Sequence, residues 1–370
     1  MFKEVFIHYP TLMNNNMNKI LTIIVPSYNM ESLLDVGLNS LLIDRLDYLD
    51  IIVVNDGSKD NTSAIAHRYA ELYPNSFTVI DKSNGNYGSC INAGLKIAKG
   101  KYIKILDADD SFIKDNFEKF VEELLLIDVD LIITDYVKSY ISGNNIYFTY
   151  ELPQKKVLKI EDIYDSKALY DILLPAITYK TDILRNIGYY QTEGISYTDM
   201  EWCFSPMTEV NTIYYFNKCV YNYLMGREGQ TMDPEVYKRS IPHRIQCFSA
   251  LLKSIYGKEL KKEIEIFTEK QLIKHAELFY RYFLIDNTKI ERSLLEKMDL
   301  EFSSLNPSAY LKCGKLKYRL HIPYRYIEMW RKYRNIEIPF YIRSLEKILN
   351  VLGKFHVQVI DRWKGLQSVS

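Results

Sequence analysis

The chain has 370 residues, 47% hydrophobic and 25% charged, with 47 basic and 47 acidic side chains that cancel at neutral pH. That is the profile of an ordinary globular protein of two or three domains with a sizeable core. No stretch approaches the roughly 18 uninterrupted apolar residues of a membrane-spanning helix.

The zero net charge hides an asymmetry. Residues Lys312 to Lys364 hold thirteen Lys and Arg against four acids, which leaves the rest of the chain acidic. A basic tail on an acidic body suggests attraction to an anionic surface. The cysteines, Cys90, Cys203, Cys219, Cys247 and Cys313, are scattered, odd in number and lack Cys-x-x-Cys spacing. They read as free thiols of a reducing cytosol rather than as disulfides or zinc ligands. Met1 to Lys19 has no signal-peptide core and reads as a disordered leader, with translation starting at Met1 or at Met17.

Ile20 to Val25 is apolar on both faces, as a central parallel strand should be, and Pro26-Ser27-Tyr28-Asn29 stops it. The spacing predicts a helix over Glu31 to Leu42, then a buried strand, Asp50 to Val54, stopped by Asn55-Asp56-Gly57-Ser58. A helix from Asp60-Asn61-Thr62 to about Tyr73 and a strand over Phe77 to Ile80 follow. Gly85 to Ser89 reads as a loop into a helix, Cys90 to Lys99, with Gly100 as its C-cap. Tyr102 to Leu106 is a fourth strand, and it ends in three carboxylates, Asp107, Asp109 and Asp110. Acids crowded at the end of a buried strand repel one another. A hard divalent cation with phosphate ligands would compensate them, and a solvated loop or helix cap is the plainer alternative. Strand ends of open α/β sheets are also where ligands bind.

Further on, a helix over Lys114 to Ile127, a strand over Asp130 to Thr134 and a hairpin about Gly143-Asn144-Asn145 are expected. Ala176 to Gly188 reads as a strand and a helix. Tyr197-Thr198-Asp199-Met200-Glu201-Trp202 is a second acidic group, and Thr212 to Leu224 reads as two strands broken near Asn217-Lys218. From Pro234 the pattern is helical. His67 and His243 fall in helical patterns and read as structural or surface groups. The expected organisation is a leader at 1–19, an α/β domain at 20–232 and a helical region at 233–370 with a basic, aromatic tail.

Taken together, Val25 to Asn29, Val54 to Ser58, Asn86 to Gly94, Asp107-Ala108-Asp109 and Asp199-Met200-Glu201-Trp202 resemble, in order and spacing, the motifs of family 2 glycosyltransferases. The resemblance covers about Ile20 to Thr231. It implies a GT-A fold: a mostly parallel sheet with helices on both faces, here with an all-helical C-terminal extension. It also implies transfer of a sugar from a nucleotide diphosphate sugar, commonly UDP-linked, to a hydroxyl, usually with inversion and with Mg²⁺ or Mn²⁺. Carried onto this chain, Pro26 and Tyr28 resemble the floor of the base pocket, and Asp56 the carboxylate that binds the base. Asp107 would approach ribose or metal, Asp109 would be the metal ligand, and Asp199 resembles the catalytic base. Arg227 resembles the basic residue that closes over the pyrophosphate. Plainer readings stand beside these: Asp56 as a turn residue, Asp199 as a helix cap with Glu201 as base, and Arg227 as a solvated loop charge.

One departure is that many family members carry Ala-Arg-Asn where this chain has Cys90-Ile91-Asn92, which leaves donor identity open. The family's commonest role implies a saccharide or lipid-linked acceptor in capsule, exopolysaccharide or other cell-surface glycan synthesis. A cytoplasmic setting follows, with the basic aromatic tail either at the anionic inner leaflet of the membrane or packed as a helical subdomain. Nucleic acid is not an expected partner, because no nucleic-acid-binding motif accompanies the charge. The alternatives are a sugar-phosphate nucleotidyltransferase and a non-catalytic saccharide- or partner-binding protein on the same fold.

Overall fold

The structure is a computed structural model, and it describes residues 19–227, 234–286, 292–318 and 324–334, with 339–341, 344–345 and 348–349 beyond them. The expected leader before Lys19, residues 228–233 and most of the basic tail after Arg334 lie outside the described residues.

Two units are distinguished, Met1–Cys247 with Glu259–Phe267, and Phe248–Lys258 with Thr268–Ser370. The first therefore keeps some helical chain beyond the boundary expected near Met232 to Pro234. It holds β1 (Leu21–Ser27), α1 (Leu34–Asn39), β2 (Leu49–Asn55), α2 (Thr62–Leu72), β3 (Phe77–Asp81), α3 (Asn86–Ile97) and β4 (Tyr102–Ile105). Next come β5 (Ser111–Phe112), α4 (Lys114–Leu124), β6 (Leu131–Tyr140), β7 (Asn145–Phe148), β8 (Val157–Lys159), α5 (Ile160–Ile163) and α6 (Lys167–Tyr170). The unit continues with β9 (Ile177–Lys180), α7 (Thr181–Asn186), α8 (Asp199–Phe204), β10 (Thr212–Met225) and α9 (Pro234–Arg239), and α10 (Ile241–Ile255) begins in it.

The sheet order is β3-β2-β1-β4-β9-β6-β10-β5, with β7 on β6 and β8 on β10. β1, β2, β3 and β4 pair in parallel, as do β6 and β10. β9 lies between β4 and β6, antiparallel to both. The fold is thus the expected α/β sheet with a parallel body; the short strands β5, β7 and β8 pair antiparallel with β6 or β10, and β9 adds an inversion inside the sheet that the apolar run Ile177–Tyr179 did not announce. Lys104 helps to hold it. This wholly buried lysine donates to the carbonyls of Pro175 (2.7 Å) and Ile177 (3.1 Å), on the segment entering β9. Burial pulls its amine down to about 7.

The chain leaves β1 to one side for β2 and β3, then crosses to the other side for β4. The C-terminal ends of β1 and β4 therefore flank a crevice, the usual ligand position in an open α/β sheet. Leu106 N–H donates to the Ile24 carbonyl at 3.0 Å, which fixes the two strand ends side by side.

Several expected elements changed length for local reasons. α1 is confined to Leu34–Asn39, and a Cβ on its Gly37 would lie 2.8 Å from the Asp110 carbonyl. α3 begins at Asn86, not Cys90; Asn86 itself has a left-handed backbone (φ 63°), which asparagine tolerates better than most residues. β10 is one strand, not two, with register shifts between Phe216 and Tyr221 that absorb Asn217-Lys218 as a bulge.

Gly100 does not act as the C-cap expected of it. A Cβ there would lie 2.3 Å from the Thr22 nitrogen and 2.7 Å from the Leu21 carbonyl carbon, so the glycine is needed for close backbone approach at the foot of β1. Gly100→Ala is expected to destabilise the protein by about 1–3 kcal/mol through overpacking. A fall in the denaturant midpoint at unchanged slope checks this.

The second unit is helical, with the later part of α11 (Lys262–Arg281), a π-helical turn (Tyr282–Asp286), α12 (Ser293–Leu305), α13 (Pro307–Gly314) and α14 (Tyr326–Tyr333). Phe248 packs edge-on against Phe279 and Phe302. Asp299 is 1% exposed and joins Arg331 Nε (2.9 Å), Arg334 Nη2 (3.2 Å) and the Tyr280 hydroxyl (2.5 Å). Part of the basic aromatic tail is therefore packing: Tyr318, Tyr326 and Trp330 are buried, and Arg331 serves a buried carboxylate. Among the described residues, no helix is long and apolar enough to cross a membrane.

Candidate active site

A cavity of about 590 Å³ lies where β1, β2 and β4 end. Pro26, Tyr28, Asp56, Asp107, Asp109 and Arg227 all line it, so six of the residues singled out in the sequence meet in one place. Its volume suits a ligand the size of a nucleotide.

Asp56 forms the deep end. It is 2% exposed, and its Oδ1 accepts from Lys82 Nζ (2.7 Å) and from the Gly85 backbone N–H (2.9 Å). Lys82 also donates to the Ser83 carbonyl and to Ser89 Oγ. Ile91, where the resemblance led arginine to be expected, is wholly buried in the core. Lys82, which follows β3 directly, is instead the cation beside Asp56. Nothing in its spacing marked it, because a lone lysine after a strand is ordinary.

The three aspartates after β4 divide into two kinds. Asp110 is buried; it accepts from the Tyr221 hydroxyl (2.6 Å) and the Leu224 N–H (2.8 Å) and ties this loop to β10. Burial, with Asp107 and Asp109 nearby, pushes its carboxyl up. Asp107 and Asp109 face the cavity. Burial and the neighbouring Asp109 push Asp107 up, and the Tyr87 hydroxyl, donating at 2.6 Å, opposes this. Asp109 accepts from Arg227 through Nη2 (2.8 Å) and Nε (3.2 Å). Arg227 is thus an ion-pair partner of the loop and not a solvated charge.

Among the described residues, no group of three or more His, Cys, Asp or Glu side chains is placed to hold a metal. Asp107 and Asp109 still fit a hard divalent ion, since Mg²⁺ and Mn²⁺ are commonly held by one or two carboxylates, with phosphates and water completing the shell.

Asp199 opens α8 and is not a lining residue of the cavity, yet its charge reaches Asp107, Tyr87 and Tyr223, and the last two line it. One side of Asp199 is open to solvent. The protein behind it raises the carboxyl, while Arg244 and the N–H groups of Asp199 and Met200 pull it down. Glu201, two residues on, is 3% exposed, and its Oε2 accepts from the Thr192 N–H at 2.9 Å.

The segment before α8 joins it to α3. Asn92 and Gln191 exchange two bonds, Nδ2 to the Gln191 carbonyl (2.8 Å) and the Gln191 N–H to Oδ1 (2.9 Å). Gln191 Nε2 then donates to Thr198 Oγ1 at 2.9 Å, both side chains fully buried. A Cβ on Gly88 would lie 2.1 Å from the Thr192 carbonyl oxygen, so α3 and this segment touch backbone to backbone. Trp202 pins the other end of α8, edge-on to Tyr179 (5.4 Å) and Tyr189 (5.7 Å).

Comparisons with known proteins bear on residues 22–187 and on the fold. Residues 22–187 match the model of glycosyl transferase family 2. The chain is 27% identical over 243 residues to an uncharacterized glycosyltransferase of Mycoplasma genitalium, an alignment covering 63% of this chain and 79% of that protein. It is 36% identical over 105 residues to the minor teichoic acid biosynthesis protein GgaB of Bacillus subtilis, covering 28% of this chain and 12% of that one. Among solved structures, S. aureus TarS in complex with UDP-GlcNAc superposes with a TM-score of 0.59 at 20% identity, over 80% of this chain and 83% of that one, a likeness of fold. Residues 22–187, just under half of the chain, thus match glycosyl transferase family 2, and they lie on a sheet whose fold is like that of TarS.

Proposed function

We propose that the cavity binds a nucleoside diphosphate sugar, a UDP-sugar in the first instance, and that the enzyme transfers the sugar with inversion to a hydroxyl of a saccharide or lipid-linked acceptor. The observation that carries this reading is the meeting of Asp56, Asp107, Asp109 and Arg227 in one cavity, with Asp199 within electrostatic reach. The catalytic domain on this reading spans Ile20 to about Met232.

Asp56 accepts a hydrogen bond from the base, and Pro26 and Tyr28 support its ring. Arg227, now on Asp109, has in the diphosphate a second anion matched to its planar donors. Asp109 and Asp107 would hold the divalent ion, which when bound supplies positive charge to the departing diphosphate. Asp199 takes the proton of the acceptor hydroxyl as that oxygen bonds to the anomeric carbon. The carbon–phosphate oxygen bond breaks on the opposite face, and its electron pair leaves with the diphosphate. One base on the far side of the sugar is what inversion requires.

The name of GgaB, a minor teichoic acid biosynthesis protein, supports a setting in cell-surface glycan synthesis, and the UDP-GlcNAc held by TarS supports a uridine donor. On this reading the enzyme works in the cytoplasm, at the membrane face where lipid-linked acceptors lie. Lys332 and Tyr333 remain exposed at the end of α14 for such a contact.

Nucleotide release from a panel of nucleotide sugars, with Mn²⁺, Mg²⁺ or EDTA, tests the proposal. Release from one donor is expected, abolished by EDTA and lowered by roughly 10²-fold or more in Asp109→Asn. No release and no calorimetric binding for any donor, with or without lipid-linked saccharide, would overturn it.

A further inference from the structure

Chain beyond the family match reaches the turn that delivers Asp199. The Ser196 N–H donates to Nδ1 of His243 at 3.3 Å. Cys247 Sγ lies 3.8 Å from the Ser196 carbonyl oxygen and 3.5 Å from that of Tyr197. The Arg244 guanidinium lies over the Tyr197 ring, 5.2 Å from its centroid. All three side chains come from the first two turns of α10, where positions i and i+4 share a face.

What they hold is strained. Tyr197 has φ 68°, a left-handed conformation that a bulky aromatic residue rarely adopts and that costs about 1–3 kcal/mol unless its surroundings impose it. Asp199 follows two residues later. A helix serving only to cover the core would meet this turn with apolar side chains. Ile241 and Ile245 provide that burial, yet the contacts to Ser196 and Tyr197 come from an imidazole, a guanidinium and a thiol. The Arg244 charge also acts on the Asp199 carboxyl.

We propose that the start of α10 is part of the catalytic apparatus, with His243, Arg244 and Cys247 holding the Ser196–Tyr197 turn and Arg244 acting as the positioning residue for Asp199. This rests on Asp199 being the base, as proposed above. Residues 22–187 supply most of the donor cavity, Tyr223 and Arg227 complete it, and α10 sets the group that activates the acceptor. None of the three side chains lines the donor cavity, so donor affinity is independent of them.

The test uses the full chain and the nucleotide sugar that the wild type turns over. Arg244→Gln is expected to lower kcat for nucleotide release by roughly 10–100-fold through misplacement of the base, with KM for the donor unchanged. Arg244→Lys is expected to recover most of the rate, because a cation returns. Hydrogen exchange over residues 195–200 gives a readout independent of activity. His243→Ala and Arg244→Gln should each raise exchange there, with no change over α3. Wild-type kcat in Arg244→Gln, or unaltered exchange over 195–200 in both variants, overturns the proposal. A parallel rise in KM and kcat loss that lysine does not repair, with a lowered unfolding midpoint, also overturns it and makes Arg244 structural. Should the wild type release nucleotide from no donor, the transferase reading falls by itself, and exchange over 195–200 still decides whether α10 holds the turn.

Discussion

Asp199→Asn is expected to slow sugar transfer by roughly 10²–10⁴-fold, the range lost when a positioned base can no longer take a proton. Donor binding should survive, because Asp199 is not a lining residue of the cavity and none of the contacts made by Asp56 passes through it. Fold should survive too, since the asparagine amide oxygen can still accept the N–H groups at the start of α8 and Trp202 continues to anchor it. The wild-type rate should also fall on the acid side. The protein packed behind Asp199 raises its carboxyl, so the active ionised form is lost at a higher pH than for an isolated aspartate. The pH–rate profile and calorimetric UDP binding read these outcomes separately. A fully active Asp199→Asn paired with an inactive Glu201→Gln would move the base to Glu201, although its Oε2 is already committed to the Thr192 N–H.

In the helical unit, Asp299→Ala should have the largest effect on stability, a loss of about 3–5 kcal/mol. The carboxylate is 1% exposed, and its removal leaves Arg331 without its anion while the guanidinium remains fixed on the Tyr310 carbonyl (2.7 Å) and over the Tyr310 ring (3.4 Å). The Tyr280 hydroxyl loses its acceptor at the same time. Urea unfolding followed by tryptophan fluorescence checks this, since Trp330 packs beside Tyr280. Replacement of Arg325, whose pair with Glu328 is exposed on both sides, should shift the midpoint little.

What could be read from the sequence follows from where the physics is local. β1, β2 and β4 are short apolar runs ended by Pro, Asn, Asp and Gly, so both the strands and the loops at one sheet edge were legible. Asp56, Asp107, Asp109 and Arg227 could be grouped because each sits in a motif resembling a known family. The partners of these residues were not legible, since Lys82, Tyr87, Tyr221 and Tyr223 reach the site only through tertiary contact. In a chain with 31 tyrosines, none of these three stood out. The Arg227–Asp109 pair spans 118 positions and no spacing rule encodes it. His243 read as a structural or surface group. It does hold structure, though the turn it holds is the one before Asp199. The bulge in β10 looked like a break because Asn217 and Lys218 interrupt an apolar pattern; one unpaired stretch has the same signature as the gap between two strands.

The inverted strand β9 has a consequence for how the chain must assemble. β1 to β4 lie within residues 21–105 and can pair as they emerge, while β6 and β10 form a separate parallel pair. β4 and β6 are never neighbours; only the four residues Ile177–Lys180 join them. Until that short strand is inserted, two sheet edges stay open, each able to recruit a foreign strand. A chain truncated before Ile177 should therefore be sticky rather than merely unfinished. The slow event in refolding should be the late seating of β9, which needs both of its neighbours, β4 and β6, in place before it can pair.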